Sequence, residues 1–375
     1  MKIKQINIYK ITLPLKDKCV TSHSVRTKQS SVTVEILTDE GIYGMGNVSP
    51  SPGYSSESVD EIADCIRYKL APSLIDKEPL ALNNCLEEFE TRIKGQQYAK
   101  AALEMALWDI VGKELKRPVY QLLGGFNNVP IPLIGWIGHS SVDDTVKQAQ
   151  QWLTEGFTTL KIKIGKNVKE DIERIKAVRE IAGDDIQLRV DANEGYTTEE
   201  AIEANKGFIK YAIAYCEQPV IRSDWEGMAR IKKTVNVPIM ADESISEPND
   251  IITAAQTKGA DIVKLKVMKC GGLLNTCRMI WLAKALGFKC VFGHGFTFGV
   301  DALAEYHVAT AMNNLLLLPV ETTGILKISD DIIKSPIKVT NGQIRLDKTP
   351  GLGATLDQLK LRQYMTSKQS VNKAD

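Results

Sequence analysis

The sequence predicts an α/β protein whose larger part is a (β/α)8-type barrel. Three observations carry that expectation. From about residue 130, eight short apolar runs alternate with amphipathic helical stretches. Polar side chains recur at the ends of these runs roughly every 25 residues, the length of one strand–helix unit. Before them, about fifty residues alternate as strands and residues 55–125 read as helices, so an α+β stretch precedes the barrel.

"KIKQINIYKITL" and "SSVTVEILTDEGIYGMGNV" show strand alternation. The strands flanking Asp39-Glu40-Gly41 form a hairpin. "KDKCVTSHSVRTKQ" between the first strands is expected as a polar loop, and "GMGNVS" as a turn, because no dinucleotide-binding unit follows it. "YAKAALEMALWDIVGKELK" has helical periodicity, with Pro118 and Gly124-Gly125 as its stop. The eight barrel runs are "IPLIGWIG", "TTLKIKIG", "IQLRVDANEG", "IAYCEQPV", "VPIMADES", "DIVKLKVMK", "KCVFGHGF" and "LLLLPVE". Runs this apolar suit strands covered on both faces. The expected units are residues 1–125, 126–325 and a tail at 326–375 of short strands and loops.

Of 375 residues, 43% are hydrophobic and 25% charged, the balance of a globular protein. A net charge of +1 gives no general attraction to nucleic acid or anionic lipid. No run is long enough for a membrane span, and the N-terminus lacks signal-peptide features. Seven scattered cysteines without a CxxC pair suggest neither a zinc site nor a disulfide framework. A cytoplasmic enzyme acting on a small molecule is the expectation, with neither nucleic acid nor membrane as a partner.

The chemistry is read at the C-terminal ends of the runs, where barrels of this type place active sites. The second run carries Lys161 and Lys163, whose period-2 spacing puts both on one face. The third ends in Asp191 and Asn193, the fourth in Glu217, the fifth in Asp242-Glu243. The sixth carries Lys264 and Lys266, the seventh His294, the eighth Glu321. One acid alone would read as a helix cap, as would Asn193. Three acids on adjacent strands, with lysines either side, suit one Mg²⁺. A carboxylate substrate on that ion can lose its α-proton, because the metal stabilises the enediolate that forms. Lys163 can act as the base, its charged form disfavoured by Lys161 and the metal. Lys161 can hold the substrate carboxylate. Lys266, arriving across the mouth, can return a proton to the opposite face, which is the geometry of a racemase or epimerase.

The motifs "KIK" (161–163), "VDAN" (190–193), "EQP" (217–219), "ADES" (241–244) and "KVMKCGG" (266–272), with "AALEMALWD" and "PGLG", resemble the enolase superfamily, muconate-lactonizing subgroup. The superfamily's pairing of a lysine or histidine base with Mg²⁺ is general knowledge. The resemblance covers essentially the whole chain. It implies an α+β capping domain built from residues 1–125 and the C-terminal tail, closing over the barrel. It implies Asp191, Glu217 and Asp242 as metal ligands and Lys163 and Lys266 as the acid/base pair, the frame selecting Lys266 over Lys264. It also implies an assembly of several copies of the chain.

"KVMKCGG" is most similar to the dipeptide epimerases, which invert the second residue of a dipeptide. Their Asp-x-Asp after strand 8, which holds the dipeptide ammonium, is here Glu321-Thr322-Thr323. Glu321 and Thr323 are therefore candidate substrate contacts. Arg26 lies in the capping loop and can pair with a second substrate carboxylate. An acidic dipeptide such as L-Ala-L-Glu is the expected substrate. Asn193 and His294 are further candidate substrate contacts. Mandelate-racemase-type chemistry would use His294 but needs an acid where Lys266 stands. N-acylamino acid racemase, o-succinylbenzoate synthase and cycloisomerase use the same lysines and remain open, as does a catalytically silent barrel.

Overall fold

The computed structural model describes residues 1–20, 25–125 and 129–373. An antiparallel sheet opens the chain, formed by β1 (Ile3–Val20), β2 (Val25–Thr38) and β3 (Tyr43–Val48). Most of the expected polar loop is strand: β1 and β2 stay paired out to Cys19–Arg26 and Val20–Val25. Polar residues hide this, because among the described residues of 16–29 only Cys19 and Gln29 are buried. The tip of that loop, Thr21 to Ser24, lies outside the described residues.

"GMGNVS" is not a turn. It belongs to β3, which runs against the helix Gln97–Glu114. A Cβ at Gly44 would stand 2.0 Å from the Ala106 carbonyl oxygen, and one at Gly46 1.9 Å from that of Ala102. The glycines serve backbone approach in a strand. The same helix is locked from below by Asp109, whose carboxylate accepts from the Met45 and Leu352 backbone N–H groups at 3.0 and 2.8 Å.

The barrel is a parallel sheet in the order β5 to β11. It follows β4 (Ile131–Pro132) with β5 (Gly135–Ile137), β6 (Thr159–Lys163), β7 (Gln187–Asp191), β8 (Ile213–Glu217), β9 (Ile239–Ala241), β10 (Ile262–Leu265) and β11 (Lys289–Phe292). The eighth run closes the ring through isolated bridges, Cys290 with Leu316 and Leu133 with Val320, rather than as a regular strand. The tail divides. The two-residue β12 (Gln343–Ile344) pairs with β4, whereas β13 (Met365–Asn372) returns to pair with β1 in the first sheet. One large core runs beneath both sheets, and a small separate cluster is formed by Tyr215, Met240, Ile262 and Val291. Among the described residues no helix is long and apolar enough to cross a membrane. All seven cysteines are free and buried.

Candidate active site

The period-2 rule delivers the predicted residues to one mouth. In-register pairing sets Lys163 beside Asp191 and Asp191 beside Glu217 at the strand ends. Lys161, Lys163, Asp191, Asn193, Glu217, Asp242, Lys264, Lys266, His294, Glu321, Thr323 and Arg26 all border a single pocket. The backbone at the rim is strained: Asn193, Glu194 and Gln218 adopt positive φ of 43°, 65° and 33°. Such strain clusters at functional sites. Gln218 accepts from the Asp242 and Ser244 backbone N–H groups at 3.0 and 3.2 Å, tying the ends of β8 and β9 together.

Ammonium groups interleave with the carboxylates. Lys163 Nζ donates to Asp191 Oδ2 at 2.6 Å and to Asn193 Oδ1 at 2.5 Å. Lys161 lies 2.9 Å from Asp191 and donates to Glu217 and Glu321 at 2.5 and 2.6 Å. It thus spends its donors inside the barrel. Lys264 bonds Glu217 and Glu321. Lys266 donates to Asp242 Oδ2 at 2.7 Å, and Lys269 to Asp242 Oδ1 at 2.8 Å. Burial pushes the Lys266 ammonium down to about 8, aided by Lys264 and Lys269 and opposed by Asp242.

Asn193 is not the cap of the next helix, because Thr197 and Glu200 form that capping box. Its amide bridges Lys163 to Glu243. His294 is buried, with Nδ1 unpartnered, and stacks on Tyr54 at 6.4 Å. Burial, with Lys266 and Arg26 near, holds it neutral. Arg26 Nη1 donates to Gln29 and Ser51 at 3.0 Å, both neutral acceptors. Glu321 is fully engaged: besides Lys161 and Lys264 it accepts from the Tyr215 hydroxyl at 2.7 Å and from Arg189 at 3.4 Å.

Among the described residues, no three His, Cys, Asp or Glu side chains converge as a ready metal cage. The donor set nevertheless fits Mg²⁺. Asp191, Glu217 and Asp242 are hard oxygen donors on neighbouring strands. Beside them Glu243 Oε2 is buried without a partner. Burial and then the Asp191 charge push Glu217 well up, although two lysines touch it. A divalent cation held there would favour the charged form of these carboxylates.

Sequence reasoning missed Tyr54, Lys269, Arg189 and Lys327. Lys269 was visible within "KVMKCGG". Tyr54 and Lys327 carry no local signal.

Models of two domain families match the chain. "Mandelate racemase / muconate lactonizing enzyme, N-terminal domain" covers residues 5–124, and "Enolase C-terminal domain-like" covers residues 144–360. The chain belongs to the enolase superfamily. It is 33% identical to the N-succinyl-L-Arg/Lys racemase of Bacillus cereus, over 97% of this chain and 98% of the relative. A crystal structure of the N-succinyl Arg/Lys racemase from that organism aligns with TM-score 0.95 at 32% identity, over 99% of this chain and 100% of that one. The L-Ala-D/L-Glu epimerase of Bacillus subtilis is 31% identical over 94% of this chain and 96% of its own. A dipeptide epimerase from Cytophaga hutchinsonii, solved with Mg and D-Ala-L-Val, aligns with TM-score 0.93 at 30% identity, over 99% of this chain and 100% of that chain. These relatives are racemases and epimerases, and this superfamily member is an isomerase.

Proposed function

We propose that the chain is a Mg²⁺-dependent racemase or epimerase that inverts the α-carbon of an N-acylated amino acid. The observation that carries this is the placement of two lysines. Lys163 ends β6 and Lys266 follows β10, with Asp191, Glu217 and Asp242 on the strand ends between them. A substrate whose carboxylate faced those acids would present opposite faces of its α-carbon to the two amines. One lysine takes the proton and the other returns one. Asp191 and Asn193 aim Lys163, while Asp242 and Tyr54 aim Lys266. A Lys266 amine near 8 is suited to passing a proton close to neutral pH. Mg²⁺ held by Asp191, Glu217 and Asp242 would supply positive charge beside the substrate carboxylate and so acidify the α-proton.

Dipeptides and N-succinyl amino acids share this chemistry and differ at the acyl end. A dipeptide ammonium needs a carboxylate with spare acceptor capacity. Glu321 already serves Lys161, Lys264, Tyr215 and Arg189. This favours an acyl group without an ammonium, of the N-succinyl type. An acidic dipeptide such as L-Ala-L-Glu is the second reading, supported by Arg26 at the rim, whose hydrogen-bond partners among the described residues are neutral. The test is chiral chromatography of a panel of N-succinyl-L-amino acids and L,L-dipeptides incubated with enzyme and Mg²⁺. Inversion of N-succinyl members ahead of dipeptides is expected. Inversion of no member would overturn the proposal.

A further inference from the structure

One corner of the pocket holds a buried lysine and a partly buried arginine that have no carboxylate partner among the described residues. Lys327, in the short helix Gly324–Lys327 after the eighth run, is only 7% exposed. Its Nζ donates to the Gly295 carbonyl at 2.8 Å and lies 4.1 Å from the Trp136 ring centroid and 4.4 Å from that of Phe296. The Arg26 guanidinium lies against the same Phe296 ring at 3.9 Å. Neither has a carboxylate within ion-pair distance among the described residues. Arg26 Nε and Thr323 Oγ1 are buried without partners in this corner, and the Thr323 hydroxyl borders the pocket.

Burying an ammonium without a counter-charge is costly, and aromatic faces offset only part of that cost. Burial is the main cause that drives Lys327 well below its ordinary value, opposed by Cys19 and aided by Lys163, Arg26 and Lys161. Every other lysine bordering the pocket touches a carboxylate. Lys327 is the exception among the described residues, and it shares the Phe296 ring with Arg26.

We propose that Lys327, with Arg26, is the receptor for a second carboxylate on the substrate and selects dicarboxylates over monocarboxylates. The anion completes the hydrogen bonding of Arg26 Nε, and Thr323 can donate to it. Trp136 and Phe296 exclude water from the pair and strengthen it. This rests on the racemase reading for what the rest of the substrate is, but anion binding is measurable without turnover.

The test is isothermal titration with Mg²⁺ present, using the wild type, Lys327→Met and Lys327→Arg. One pair of probes is N-succinyl-L-alanine and N-butyryl-L-alanine, which differ in an acyl carboxylate. The other is N-acetyl-L-glutamate and N-acetyl-L-norvaline, which differ in a side-chain carboxylate. In at least one pair the wild type should bind the dicarboxylate roughly tenfold or more tightly. Lys327→Met should erase that preference while leaving the monocarboxylate within about threefold, and Lys327→Arg should restore much of it. The pair that responds identifies the end of the substrate that carries the charge. Absence of a dicarboxylate preference in both pairs, or a preference that survives Lys327→Met, would overturn the assignment. Equal weakening of both members of a pair would also overturn it, by marking a structural role. Turnover of the same compounds reports separately on the racemase reading.

Discussion

The Tyr54 hydroxyl accepts from Lys266 Nζ at 2.5 Å and donates to Asp242 Oδ1 at 2.9 Å. Tyr54 stands in the segment before the capping helices, far in sequence from both partners. Arg222 reaches back to the Tyr54 carbonyl while paired with Glu194, so this segment is held against the barrel rim. The first domain therefore contributes a group that positions a barrel lysine.

Removing that hydroxyl tests its role. Tyr54→Phe keeps the ring beneath Lys266, 3.9 Å from Nζ, and deletes both hydrogen bonds. We expect kcat to fall about tenfold, equivalent to about 1.4 kcal/mol of barrier, with KM little changed. Steady-state kinetics beside an unchanged circular dichroism spectrum checks this. An unchanged kcat would show that Asp242 alone aims the lysine.

Metal removal should have a signature apart from activity. Asp191, Glu217 and Asp242 are proposed to hold Mg²⁺, so ligand linkage should stabilise the fold by about 2.7 kcal/mol at a hundredfold excess over Kd. Thermal unfolding with and without Mg²⁺ measures this. Asp191→Asn should largely abolish the shift, and EDTA should remove activity that added Mg²⁺ restores. An identical shift in wild type and variant would place the ion elsewhere.

Acid should weaken the fold through His307. This side chain is buried in the helix Gly299–Ala311, and its Nδ1 accepts from the Tyr120 backbone N–H at 3.0 Å. Burial pushes it down to about 4, against about 6.5 for a free histidine. The unfolded chain therefore binds the extra proton first as pH falls. Stability is full above about 6.5 and is lost progressively toward 4, by about 2 kcal/mol at pH 5 from this group. His307→Asn retains an acceptor and should show a smaller loss between pH 8 and pH 5 in urea unfolding, whatever its stability at pH 8.

The legible part of this protein was the part with a period. Lys161 and Lys163 share a face because side chains alternate along β6. Asp191, Glu217 and Asp242 border one pocket because each ends a unit of similar length. Contacts between distant segments left no such trace. Tyr54 meets Lys266 only through the packing of the capping segment on the barrel. The saturation of Glu321 depends on Arg189 and Tyr215, inward-facing residues of β7 and β8 that looked like ordinary strand positions. Gly44 and Gly46 suggested a turn, since nothing local says that a helix backbone lies against them.

The central claim is that Lys163 and Lys266 serve opposite faces of one carbon. The most direct measurement follows α-proton exchange by NMR in D₂O with Mg²⁺, using both stereoisomers of the best-converted panel member. Wild type should incorporate deuterium into both and interconvert them. Lys163→Ala and Lys266→Ala should each abolish inversion, and any exchange that survives should be confined to one stereoisomer, a different one for each variant. Inversion at an undiminished rate in either variant would contradict the two-lysine account.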